Sequence, residues 1–164
     1  MVFTIAKDQH YCDRGLYRFF KFLNRKNKLE YNVTFDESCQ YTLPEKDQAD
    51  INKLFGFSLG LDHHTHSARF GWAWHQDRLK LFAYLYIEGI RKSFFITNLK
   101  INVEYKLSIE IIDFNYILKV REVGGNPLFR TSIRTTRPFA IGYKLWPYFG
   151  GNNPAPHDIR IKLT

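Results

Sequence analysis

Little in this sequence supports a covalent or metal-based chemistry. Only two cysteines, Cys12 and Cys39, occur in 164 residues, and no C-x-x-C or other metal-ligand spacing joins them. That excludes a disulfide-knit mini-scaffold and a thiolate zinc site, and two lone thiols point to a reducing compartment. Long apolar runs are missing as well. None approaches the ~20 residues that a membrane-crossing helix needs. Residues 1–8 lack the basic stretch and apolar core of a signal peptide, so the expectation is a product made in the cytoplasm with no export signal and no membrane span. Helical periodicity is scarce. Glu45 to Leu54, preceded by Pro44 and carrying a carboxylate in its first turn, is the best candidate. It is so weakly amphipathic that it reads as a loop or one or two turns. No repeat, linker or low-complexity segment divides the chain, so one domain spanning 1–164 is expected.

What the chain has in quantity is aromatic residues: 15 Phe, 10 Tyr and 3 Trp, or 17%. Such side chains fit pleated, half-buried surfaces. They fall on alternate positions along most of the chain, the period of a strand with one buried face. Leu29, Tyr31, Val33 and Phe35 form one stripe, and Cys39, Tyr41 and Leu43 repeat it. Phe55, Phe57 and Leu59 form another, followed by Phe70, Trp72 and Trp74. Later stripes run from Leu79 to Ile87, from Val103 to Ile111, from Tyr116 to Val120 and from Ile159 to Leu163. Glu88-Gly89, Gly124-Gly125-Asn126-Pro127 and Gly150-Gly151-Asn152-Asn153-Pro154 supply the turn chemistry between them. Roughly ten to twelve strands at this spacing predict an all-β fold of two packed antiparallel sheets.

The formal charge is +8. An excess of that sign favours acidic partners, whether nucleic acid, anionic glycan or an acidic protein face. The densest basic groups, Arg25-Lys26-Asn27-Lys28 and Arg130 to Arg137, read as a turn and as a strand with its loop rather than as a polybasic tail.

The hairpin from Ser67 to Glu88 holds the most suggestive side chains. If Leu79, Leu81, Ala83, Leu85 and Ile87 face the core, Phe82, Tyr84 and Tyr86 line the other face. Trp72 and Trp74 share a face one strand away. Planar rings on an open sheet stack on sugars or nucleobases and anchor protein contacts. Burial of both faces is the simpler alternative. Asp62-His63-His64-Thr65-His66 is a histidine-rich loop. Without a distant ligand set it is expected to be a polar loop holding no metal. No cofactor motif is present either.

Catalytic signatures are wanting. Retaining glycosidases place two carboxylates ~5 Å apart, and the sandwich hydrolases that resemble concanavalin carry them as E-x-D-x-x-E. Glu110-Ile111-Ile112-Asp113 comes nearest and lacks both the spacing and the second glutamate. Jelly-roll lyases combine Gln, His, Tyr and Arg. His75, Gln76 and Tyr84 are present here, in an order that does not match. A non-catalytic protein is expected.

The stretch from Lys144 to Ile159, with its Trp146-Pro147-Tyr148-Phe149-Gly150-Gly151 run, together with Ser67-Ala68-Arg69-Phe70-Gly71-Trp72, resembles a group of small concanavalin-like β-sandwich proteins of Bacteroidetes bacteria and their tailed phages. The resemblance covers about the last two thirds of the chain. It implies a jelly-roll sandwich closing on a strand at Ile159 to Leu163, and it transfers no catalytic residue. On these grounds the expected role is a structural or accessory subunit of a larger assembly. A bacteriophage virion component (capsid decoration, head fibre or tail part) is the most concrete case. A lectin-like carbohydrate-binding module and a nucleic-acid-binding β-domain are the alternatives. Expected partners are other subunits with acidic surfaces, or a glycan, met through Trp72, Trp74, Tyr84, Tyr86, Trp146 and Tyr148.

Overall fold

Alternating apolar residues give eleven strands among the described residues, which are 1–13, 28–135 and 142–164 of a computed structural model. In chain order they are β1 (Val2–Ile5), β2 (Lys28–Phe35), β3 (Asn52–Leu59), β4 (Ser67–His75), β5 (Arg78–Ile87) and β6 (Ile90–Leu99). They continue with β7 (Glu104–Ile112), β8 (Asn115–Glu122), β9 (Pro127–Arg134), β10 (Gly142–Leu145) and β11 (Ile159–Leu163). Two antiparallel sheets result: a six-stranded one in the order β1-β11-β2-β7-β8-β9 and a five-stranded one in the order β10-β3-β4-β5-β6. This is the two-sheet, jelly-roll-type sandwich that the alternation predicts. The basic residues at 25–27 and 136–137 lie outside the described residues.

Tight turns set the register of the hairpins. Gln76-Asp77, Glu88-Gly89 and Asp113-Phe114 all take positive φ at both positions. That is the backbone of two-residue turns whose twist matches the flanking strands. With register fixed, each strand sends one row inward. Phe35 of β2 meets Trp72 of β4 at 5.5 Å between ring centroids, and Phe57 of β3 meets Tyr116 of β8 at 6.0 Å. These rings cross the gap between the sheets and are fully buried. Burying a side chain of this kind contributes ~1.5–3 kcal/mol.

Two sequence expectations need correcting. Residues 45–49 do form turns, with Asp47 and Gln48 N–H donating to the Pro44 carbonyl. The end of the helical candidate, Asn52 to Leu54, belongs instead to β3. Cys39, Tyr41 and Leu43 do not form a strand. Asp36 caps a short 3-10 turn at Glu37–Cys39 by accepting the Ser38 N–H, and the following segment is irregular. Cys39 and Tyr41 are still buried, and the Tyr41 hydroxyl accepts from Asn52 Nδ2 at 2.8 Å and from the Trp74 N–H at 3.2 Å. Desolvation raises its pKa to about 12. Cys12 and Cys39 are both buried, and burial pushes the Cys39 thiol far up. No helix of the described residues is long and apolar enough to cross a membrane.

Candidate functional site

The outward rows of the five-stranded sheet build a cleft. In β4 the inward row is Ala68, Phe70, Trp72 and Trp74, which leaves Ser67, Arg69, Gly71, Ala73 and His75 pointing out. In β5 the outward row is Arg78, Lys80, Phe82, Tyr84 and Tyr86. Register places Tyr84 opposite Arg69 and Tyr86 opposite Ser67. On the other side, β10 sets Tyr143 opposite Ser58 and Leu145 opposite Gly56. A groove of about 500 Å³ lies over these residues, walled by Tyr11, His63, His64 and Tyr148.

Local backbone detail positions each polar group. A bulge between Lys53 and Gly56 offsets β3 from β4. A methyl group on Gly56 would come within 2.1 Å of the Ala68 carbonyl and 2.7 Å of Arg69 Cγ. Only glycine therefore lets the Arg69 side chain pass across β3. Its Nη2 then donates to the Trp146 carbonyl at 2.8 Å. Pro147, which has no N–H to offer a ladder, interrupts the last strand of this sheet. Pairing resumes at Tyr148, whose N–H and carbonyl both bond Lys53 of β3.

Lys53 forms the cationic floor. Its Nζ donates to the Ile51 carbonyl at 2.7 Å and lies 4.8 Å from the centre of the Tyr84 ring. Burial first, and then repulsion from Arg69, lowers its pKa from 10.5 to about 8 against an opposing pull from Asp50, with Arg91 adding a smaller repulsion. The Tyr84 and Tyr86 rings meet edge to face at 6.0 Å. Tyr84 is nearly enclosed, while Tyr86 and Tyr148 are half-buried.

The histidine loop supplies one wall. His63 Nδ1 is 2.9 Å from the Tyr143 hydroxyl, and the His64 ring packs 5.2 Å from Tyr86. Asp62 secures the loop by accepting from Thr65 Oγ1 at 2.6 Å and from the His64 N–H at 2.9 Å. Those two bonds hold its carboxyl below the usual range. No group of three or more His, Cys, Asp or Glu among the described residues is placed to hold a metal ion.

A second cleft of about 660 Å³ lies further along the same face, lined by His75, Gln76, Lys80, Phe82 and Phe95 among others. Lys80 Nζ is 2.9 Å from His75 Nδ1 and donates to Gln76 Oε1 at 3.0 Å. Ile51 separates the two clefts. Its Cγ2 lies 2.5 Å from where a β-carbon on Gly71 would sit, so its side chain rests directly on the sheet.

The structure divides the six aromatic residues singled out from sequence. Tyr84, Tyr86 and Tyr148 line the groove. The three tryptophans do not. Trp72 is fully buried between the sheets. Trp74 packs half-buried against the core, and Trp146 stacks on Phe3 at 5.2 Å. Strand parity is the reason: the small and charged residues Arg69, Gly71 and Ala73 claim the open face, which turns the tryptophans inward. Lys53, Arg69, His63 and Tyr143 were missed. Arg69 was legible from that same parity. Lys53 and Tyr143 come together only through pairings distant in sequence.

No protein-family model matches the sequence, and no curated protein is a significant match to it. Solved structures do share the fold. An alginate lyase from Klebsiella pneumoniae superposes with a TM-score of 0.62 at 10% identity over 84% of this chain. A xylan β-1,4-xylosidase from Bacillus halodurans C-125 follows at 0.50, with 11% identity over 84% of this chain. The chain spans 58% of the length of the lyase and 27% of that of the xylosidase. At such identities the likeness establishes the β-sandwich fold.

Proposed function

We propose that this chain is a lectin-like, non-catalytic module that binds a glycan in the groove over β10, β3, β4 and β5. One observation carries the reading. Tyr86 and Tyr148 stand half-buried beside the cations Lys53 and Arg69 in a cleft already shaped by the sheet. Sugar rings pack on such aromatic faces while their hydroxyls take directed hydrogen bonds from fixed polar groups. The names of the two fold neighbours, an alginate lyase and a xylan xylosidase, lend this reading support.

Catalysis is not part of the proposal. Of the residues resembling a lyase set, His75 and Gln76 line one cleft and Tyr84 the other. His75 lies six residues along β4 from Arg69, the partner of Tyr84, or ~20 Å at 3.3 Å per residue. A shared proton relay cannot span that gap.

An accessory subunit of a larger assembly, such as a virion, is the second reading. Ile90, Phe94 and Phe95 are exposed on β6, the edge strand of the five-stranded sheet among the described residues, and exposed apolar patches mark contact sites. The fold neighbours give no support to a phage role or a Bacteroidetes origin.

The test is titration of the purified protein with a panel of oligosaccharides and with single-stranded DNA, alongside Tyr86→Ala. Saturable glycan binding that weakens at least tenfold in the variant is the expected result. DNA binding with no glycan binding would transfer the groove to a nucleic acid. New reducing or unsaturated ends that vanish in Tyr84→Phe would make the protein an enzyme.

A further inference from the structure

The outward row of β5 does not stop at the groove. Tyr86 and Tyr84 line the groove, and the next two members of the row, Phe82 and Lys80, line the second cleft. Tyr84 and Phe82 lie two residues apart, or ~7 Å at 3.3 Å per residue. Beside them β4 carries Gly71 opposite Phe82 and Ala73 opposite Lys80. Side chains this small leave the sheet hollow along the row. Ile51 fills part of the hollow at Gly71, where a β-carbon on the glycine would meet it at 2.5 Å. It stands half-buried, a sill between two clefts that share one row of side chains.

The second cleft repeats the chemistry of the first. A bulge in the pairing of β5 with β6 falls between Leu81 and Phe82 and sets Phe95, rather than Ile96, opposite Phe82. Irregularities of this kind re-aim the side chains around them. The two rings meet edge to face at 5.9 Å, and Phe95 is 53% exposed. Next to them, Lys80 Nζ holds His75 Nδ1 and Gln76 Oε1 at once. A lysine has only hydrogens to give, so His75 Nδ1 accepts and its Nε2 carries the ring hydrogen. Open rings beside polar groups already fixed in place are also what Tyr86, Tyr148, Lys53 and Arg69 provide in the groove.

We propose that the two clefts are subsites for one linear glycan chain, several units of which lie along β5 across Ile51. The inference rests on the glycan-binding reading and adds the form of the ligand. Tyr86 is four residues along β5 from Phe82, or ~13 Å at 3.3 Å per residue, which exceeds the length of a single sugar ring. A ligand that packs on both must hold consecutive units in line. Joining two modest subsites through one chain raises affinity, because the second contact is made within a complex already formed.

Oligosaccharides of xylan, alginate and pectate, from disaccharide to octasaccharide, test this. They are titrated against the wild type, Tyr86→Ala, Phe95→Ala, Lys80→Met and Leu128→Ala. Leu128 is exposed on β9 of the other sheet and serves as the control. For at least one polymer the octasaccharide should bind one to one, and tenfold or more tightly than the disaccharide. Tyr86→Ala and Phe95→Ala should each weaken the octasaccharide at least tenfold. Lys80→Met should act in the same direction, and Leu128→Ala should change nothing. Affinity that does not grow with chain length overturns the inference and leaves the glycan reading standing. A Phe95→Ala variant that holds the octasaccharide like the wild type does the same, and returns Phe95 to the assembly reading. Two octasaccharides per protein would make the clefts separate sites and also overturn it. Binding to no oligosaccharide overturns both readings.

Discussion

The two sheets of this sandwich present opposite kinds of surface. On the six-stranded sheet, lysines and glutamates face each other across β2, β7 and β8, so that Glu110 alone reaches both Lys28 and Lys119. Such exposed pairs contribute ~0–1 kcal/mol each. Their effect is to pair the charges that β2, β7 and β8 carry at the centre of this face. On the five-stranded sheet the outward row carries tyrosines and withdrawn cations, and Lys53 has no acid at ion-pair distance among the described residues. One face pairs much of its charge directly across neighbouring strands, and on the other Lys53 keeps only the more distant pull of Asp50. Net charge alone could not have revealed this, because both faces are rich in lysine and arginine.

The comparison assumes that the rings of the five-stranded sheet are divided between its sides, and the strongest test goes there. Trp72→Ala is expected to cost about 3–5 kcal/mol, as large-to-small changes in a packed core do. Equilibrium denaturation measures it. A variant as stable as the wild type would return Trp72 to the open face and undo the division.

A smaller effect is expected from Lys53, whose burial outweighs the pull of Asp50. Folded Lys53 releases its proton near pH 8, whereas the unfolded chain holds it to about 10.5. Between those values the unfolded chain binds more protons, so stability climbs with pH, by at most ~1.4 kcal/mol per unit. Denaturant midpoints of the wild type and Lys53→Met across this window should converge as pH rises. Parallel profiles would show that the lysine is already balanced.

The smallest effect belongs to the paired face. Glu110→Gln should shift stability by no more than ~1 kcal/mol and should leave ligand binding unchanged, with salt reducing the shift further. A loss of several kcal/mol would mean that this network is not a screened surface array.

Much of the fold was legible because alternation is a local signal. The stripe from Leu79 to Ile87 located β5 and assigned Tyr84 and Tyr86 to its outer row, where register confirms them. Trp72 and Trp74 face the core, because aromatic size by itself does not say which side of a strand a ring occupies. Their neighbours Arg69, Gly71 and Ala73 show that the open face lies on the other parity. The site was less legible than the fold. Lys53 sits where a weak helical pattern ends, and it acquires its surroundings only when Tyr148, far along the chain, pairs with it. Nor does sequence periodicity say that Asp36 will cap a turn at Glu37–Cys39 and draw the Cys39–Leu43 stripe out of the sheet.

Gly56 makes the inheritance of two positions run in one direction. A β-carbon there would meet the Ala68 carbonyl and the Arg69 Cα, which are backbone atoms, as well as the stem of Arg69. Loss of the arginine therefore leaves the demand for glycine in place, whereas loss of the glycine displaces the strand that carries the arginine. Among descendants of this chain, glycine at 56 should outlast arginine at 69, and an arginine at 69 should not be found without the glycine.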